Sequence, residues 1–217
     1  GERTLFRADA APAPDVPSRC TDGCPVQASC PWDAVAFYLT ADEQVARWWP
    51  LSDVSPDPSR EARRRALETG PYGVCVHRAD NDLPDHQVLA VEFANGVAAT
   101  FTMNGTASEE KRTLHVSGSA GELRGVLHEG WIEVRRHGAS DVERIEIAGS
   151  PLDHFGGDAG LIEHFVGAVE RGRPDEVRAS GRVSLDSHLL GFAAEQARLE
   201  RRVVEVDEIR AGAAATT

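Results

Sequence analysis

The sequence predicts an α+β fold: an open, predominantly antiparallel β-sheet with helices packed on one face and no Rossmann unit. Three observations carry that expectation. The middle of the chain alternates apolar and polar residues with a period of two. The flanking regions repeat apolar residues with helical period instead. No G-x-G-x-x-G run opens a strand–turn–helix unit; "GSAGELRG" has glycines but lies between strands and reads as a hairpin turn.

The elements follow in order. Residues 1–31 read as an irregular lead-in, rich in Ala, Pro and Cys from residue 8 onward. Trp32, Val35, Ala36 and Leu39 then have helical spacing, with Pro31 suited to a first-turn position. After the Pro-rich loop "PLSDVSPDPS", Ser59 is placed to cap the helix "REARRRALET", which Gly70-Pro71 stops.

The period changes at "HQVLAVEFANGVAATFTM", two alternating runs joined by Asn95-Gly96, the pair preferred by a type I′ hairpin. Leu89, Val91 and Phe93 share one face, and Val97, Ala99, Phe101 and Met103 share a face on the returning strand. "RTLHVSG", "GELRGVL", "GWIEVRRHG" and "VERIEIAG" continue the pattern, for six or seven strands in hairpin succession. After Pro151 a helix carries Leu161, Ile162, Phe165, Val166 and Val169 on one stripe and ends at Gly172. A second helix, "SLDSHLLGFAAEQARLERR", has Ser184 or Asp186 near its start, and "VVEVDEI" is read as a last short strand.

The bulk numbers bound the function. A length of 217 residues predicts one domain, residues 1–217. A net charge of −12 argues against nucleic acid and against an anionic membrane surface, both of which need a cationic footprint. No apolar run approaches membrane-spanning length and no signal pattern opens the chain, so the simplest reading is cytoplasmic. The chain opens at Gly1 without a methionine, which reads as a tag scar, a processed end or a piece of a longer protein.

Candidate sites are few. Cys20, Cys24 and Cys30 lie close in sequence, and Cys75 completes a set of four thiols, with His77 as a substitute. Thiolates at such spacing suit part of a tetrahedral zinc cage; packing of an irregular loop and a disulfide are the alternatives. The loop "ADNDLPDHQ" gathers Asp80, Asn81, Asp82, Asp85 and His86, but it lacks the glycine and glutamate of an EF-hand. Asp85-His86 suits substrate orientation or acid–base work, against a plain loop with Asx turns. In "DHFGGDAG", Gly156 and Gly157 precede a helix with His154 and Asp158 beside them. They suit close approach to a ligand, and Asp158 alternatively caps the helix.

The segment "GPYGVCVHRADNDLPDHQVLAVEFANGVAATFTMNG" resembles the C-terminal domain of the glucose–fructose oxidoreductase / inositol dehydrogenase / MocA (Gfo/Idh/MocA) family. "RCTDGCPVQASCPWDA", "SGSAGELRG", "HFGGDAGLIEHFVGAV" and "SHLLGFAAEQARLE" agree with it in order, over nearly the whole chain. The resemblance implies an antiparallel sheet that forms the substrate side of an oxidoreductase and an oligomer interface. It also implies a separate Rossmann domain holding NAD or NADP, and hydride transfer at a sugar or cyclitol hydroxyl carbon. That domain, with the family's Glu-Lys-Pro lysine and Asp/His pair, has no counterpart here, so the chain alone is expected to be inactive and no residue is assigned a catalytic role.

What carries over is Cys20, Cys24, Cys30, Cys75, the Asp80–His86 loop, His154, Gly156, Gly157 and Asp158. Of these, Asp85, His86, His154, Gly156, Gly157 and Asp158 are the candidate substrate-binding residues. Pro84 stands where the family has an aliphatic residue and Phe155 where it has a first glycine. Self-association into a dimer or tetramer through the sheet face is expected. The alternative function is a stand-alone, non-catalytic sheet domain that binds a small polar ligand or itself.

Overall fold

The computed structural model describes residues 1–149 and 151–214. Helices and antiparallel strands alternate as an α+β fold requires, but the strands form two sheets rather than one. The backbone gathers into two compact units, Gly1–Thr106 and Ala107–Thr217. The polar run Ser108-Glu109-Glu110-Lys111-Arg112 follows β2 in place of a tight turn, and the strand after it pairs only forward along the chain.

In the first unit, α1 (Ala34–Leu39) starts later than the apolar spacing predicts, because Asp33 caps it by accepting from the Val35 and Ala36 amides at 3.0 and 3.1 Å. Pro31 therefore lies ahead of the helix rather than in its first turn. Helix α2 (Arg60–Thr69) matches expectation, with Ser59 Oγ accepting from the Ala62 amide at 3.3 Å. The Arg19 guanidinium donates to the carbonyls of Leu67, Thr69 and Gly70 and so satisfies the open end of α2. Leu39, Val54 and Leu67 form the core with Cys20 and Ala34. Beside it Arg63, 1% exposed, donates to the carbonyls of Tyr38, Ala41 and Pro58, so a buried charge is held entirely by backbone dipoles.

Strands β1 (His86–Glu92) and β2 (Ala98–Asn104) form a ribbon with Leu89 opposite Phe101 and Val91 opposite Ala99, one residue away from the pairing that a two-residue Asn95-Gly96 turn would impose. The turn differs from the type I′ expected. Gly96 has φ 83°, Asn95 does not share the left-handed conformation, and the Gly96 amide donates to Phe93 O at 2.8 Å. Since a type I′ turn needs positive φ at both central residues, this is the three-residue connection in which a type I turn ends on a left-handed glycine. Asn95 instead spends its side chain on the Val97 amide, at 3.1 Å.

The second unit holds β3 (Thr113–Gly118), β4 (Gly121–Val126), β5 (Trp131–Arg136) and β6 (Glu143–Glu146), in that spatial order and antiparallel throughout. Register puts Leu114, Val116, Leu123, Ile132, Val134 and Ile145 on one face. The opposite face is a charge lattice: Glu122 pairs with His115, Arg124 and Arg135, while Arg144 pairs with Glu133 and Glu146 and lies 4.5 Å over the Trp131 ring. The apolar face is open at Leu114, Val116 and Ile145.

Helix α3 (Gly157–Glu170) carries the predicted stripe, yet Leu161, Ile162, Phe165, Val166 and Val169 are all exposed. Helix α4 (Gly181–Glu200) begins a turn earlier than predicted, under Ser180 rather than Ser184 or Asp186. The run read as a last strand, residues 203–209, forms no strand: Val206 opens α5 (Val206–Ala214), and Val203–Glu205 precede it without regular structure. Its start is built by acidic residues: Asp207 and Glu208 sit in the first turn, and the Glu208 carboxylate accepts from the Glu205 amide at 3.0 Å. Among the described residues no helix is long and apolar enough to cross a membrane.

Candidate functional site

The strongest polar constellation stands at the start of β1. Asp85 is 5% exposed, and its carboxylate is saturated: Oδ2 accepts from the amides of Thr4, Leu5 and Phe6 at 2.8, 2.6 and 3.2 Å. Oδ1 accepts from Thr4 Oγ1 at 3.2 Å and faces His86 Nδ1 at 2.9 Å. Burial pushes this carboxyl up, but the Leu5 amide, the His86 ring and the Phe6 and Thr4 amides outweigh it and hold Asp85 well below the usual carboxylate range. An ionised carboxylate oxygen only accepts, so His86 Nδ1 carries a proton and, in the neutral ring, Nε2 is the acceptor. Asp85 thus orients His86 and has no lone pair to spare for direct substrate contact.

His86 lines a concave site of about 320 Å³ with Thr4, Thr102, Asn104 and Thr106. The register sets His86 directly opposite Asn104, so both side chains stand on one face of the ribbon. Asn104, Thr102 and Thr106 have no recognisable pattern in the sequence; the hairpin register is the signal that places them beside His86. In the neighbouring loop Asn81 Oδ1 accepts from the Leu83 amide at 3.3 Å, an Asx turn.

The other candidate group belongs to the second unit. His154 Nδ1 and Asp158 Oδ2 are 2.9 Å apart, and both side chains are exposed. The cap of α3 is Gly156, at φ 79°, so Asp158 lies in the first turn and pairs with His154 instead of capping; Gly157 is the first helical residue. His154 and Phe155 also adopt left-handed conformations, at φ 51° and 54°. The Phe155 ring lies where a Cβ on Gly130 would have to stand, so it fills the space a glycine would have left for a ligand.

Cys20, Cys24, Cys30 and Cys75 all line one small pocket, together with Asp33 and His77. Antiparallel pairing of Arg19 with Val74 brings the two cysteine-bearing segments together. All four thiols are free. His77 is buried with Nδ1 3.0 Å from Leu5 O. Burial is the main influence raising the Cys20 thiol, opposed by a hydrogen bond with the Ala34 backbone and reinforced by Cys75, Asp33 and Cys30. Among the described residues no three His, Cys, Asp or Glu side chains are placed to hold a metal ion.

The fold and site thus define an α+β protein with antiparallel sheets and an Asp–His pair on a pocket that mixes polar side chains with Val88 and Met103. Comparison with protein-family models, curated proteins and solved structures gave no match.

Proposed function

We propose that residues 1–217 are the substrate-side and assembly domain of an NAD(P)-dependent oxidoreductase acting on a sugar or cyclitol hydroxyl, in the manner of the Gfo/Idh/MocA family. The observation that carries this reading is the Asp85–His86 pair on its pocket, within the segment that bears the strongest sequence resemblance. An imidazole oriented by Asp85 beside hydroxyl and amide groups suits a hydroxylated ligand.

The nicotinamide belongs to a Rossmann domain outside these residues. Among the described residues every ladder is antiparallel, whereas a dinucleotide site is built on parallel strands, and this supports placing the cofactor elsewhere. The zinc reading of the cysteines stays a lesser part of the proposal, supported only by their common pocket. The same proposal includes a cytoplasmic site of action and a dimer or tetramer formed through the open sheet face.

The test is turnover. The isolated chain, given NAD or NADP and a panel of sugars and cyclitols, is expected to form no reduced nicotinamide and to bind no nucleotide. The same chain joined to, or mixed with, its nucleotide-binding domain is expected to form it. Nucleotide binding by residues 1–217 alone would overturn the division of labour. A second reading, a non-catalytic self-associating domain, is favoured by the exposed stripe of α3 and the open sheet face. It predicts assembly without turnover in either preparation.

A further inference from the structure

We propose that the pocket on the β1–β2 ribbon binds a neutral vicinal diol. His86 Nε2 accepts from one hydroxyl, and the Asn104 side-chain amide donates to its neighbour. The inference deepens the substrate-side reading, on which its metabolic meaning rests, but the site stands on its own geometry.

The acceptor follows from Asp85. Its Oδ1 faces His86 Nδ1 at 2.9 Å, so the proton of the neutral ring is at Nδ1 and the Nε2 lone pair is available. The donor follows from Thr106. Its amide and its Oγ1 lie 3.0 and 2.6 Å from Asn104 Oδ1. An amide N–H can only donate, which fixes the oxygen of Asn104 on that side and leaves its NH₂ for a ligand.

Because His86 and Asn104 are paired in register, their Cβ atoms are about 5 Å apart on the same face. One acceptor and one donor at that separation match two adjacent hydroxyls, since a hydroxyl can serve as either. Thr102 Oγ1 lines the same wall and can serve a third.

Charge decides against the obvious competitors. Among the described residues no Lys or Arg lines the pocket, and the Asp85 carboxylate there is satisfied by the backbone amides. Phosphate or carboxylate would enter without a counter-charge, whereas a neutral polyol requires none.

The test follows the side-chain nitrogens of His86 and Asn104 by NMR in the ¹⁵N-labelled chain. Three probes are titrated: cis-cyclohexane-1,2-diol, cyclohexanol and inorganic phosphate. The diol is expected to shift both His86 Nε2 and the Asn104 amide, with cyclohexanol weaker by about tenfold, the equivalent of one lost hydrogen bond. N104D keeps the shape and the contact with Thr106 but removes the donor, and is expected to weaken the diol by about tenfold while leaving the His86 tautomer unchanged. H86Q provides a second variant on the opposite strand, with the same expected loss.

Phosphate shifting His86 at lower concentration than the diol would overturn the proposal. So would diol binding unaffected by N104D, or no response at either side chain. Diol binding without turnover in the complete enzyme would sink the oxidoreductase reading and leave this one standing. Turnover with a silent His86 would do the reverse.

Discussion

Asp85 and His86 are neighbours in sequence whose side chains also face each other, Nδ1 to Oδ1 at 2.9 Å, although one is buried and the other half exposed. The buried partner is anchored by the amides of Thr4, Leu5 and Phe6. The exposed partner inherits a fixed tautomer at the mouth of the pocket. The pair therefore joins two tasks, tying the first residues of the chain to β1 and presenting a lone pair to a ligand.

Replacing Asp85 by Asn should weaken the fold by about 2 kcal/mol, because three backbone amides lose a charged acceptor. The pH dependence gives the sign. The folded state holds this carboxyl below its ordinary value, so the unfolded chain binds the proton more readily. The contribution is thus complete above the ordinary carboxylate range near pH 4 and is lost as pH falls below it. Denaturant titrations from neutral pH downward should show the wild type losing stability along a steeper acid limb than D85N.

Arg63 should tolerate no truncation. At 1% exposure its guanidinium holds three carbonyls, Tyr38 in the last turn of α1 and Ala41 and Pro58 in the loops that follow. Arg63→Met leaves those carbonyls buried without donors, and a loss of about 3 kcal/mol is expected in chemical denaturation. Arg63→Lys should recover only part of it, since an ammonium cannot span the same three oxygens.

Gly130 and Phe155 should show strong coupling. Gly130→Ala adds a Cβ against the Phe155 ring at a residue with φ 65°, and a cost of about 2 kcal/mol is expected. In the background of Phe155→Ala the steric part disappears, so the double variant should lose less than the two single losses together. Simple additivity in thermal unfolding would mean that the ring does not impose the glycine.

The thiols should differ in reactivity despite sharing a pocket. Cys20 is buried and its thiol is raised, whereas Cys24, Cys30 and Cys75 are half-buried. Timed alkylation of the native chain, read by peptide mass spectrometry, should label Cys20 last. Labelling of Cys20 at the rate of the other three would contradict the packing described for it.

Val116 tests assembly through the sheet. It is exposed on the apolar face of β3, so Val116→Lys should change monomer stability by no more than about 0.5 kcal/mol. In sedimentation experiments the same variant should weaken self-association by at least about tenfold. Unchanged association would move the interface elsewhere, with the stripe of α3 next to examine.

Much of this was legible from residue order where the structural cause is local. The alternation from His86 to Met103 yields the two strands and the residues that share a face on each, and Ser59 yields the start of α2, because each depends on neighbours a few residues away. The failures are of two kinds. At α4 and α5 a more distant cap or an acidic first turn prevailed over apolar spacing, so Ser180 displaced Ser184 and the second half of "VVEVDEI" wound into a helix. At the site, the partners of Asp85 lie 79 to 81 residues upstream, and no spacing rule reaches that far. Asn104 drew no notice because an asparagine at a strand end has no chemical signature until the register sets it opposite His86.

Edge strand β6 bears on what kind of assembly the open apolar face permits. It has four residues, Glu143-Arg144-Ile145-Glu146, three of them charged, so it is a poor template for another strand. Open-ended polymers grow by adding strands to edges, while closed pairs form by burying faces. Strand addition is therefore steered away from β6 and toward the opposite edge, β3, whose Thr113–Gly118 carries no Lys, Arg, Asp or Glu and is exposed along its length.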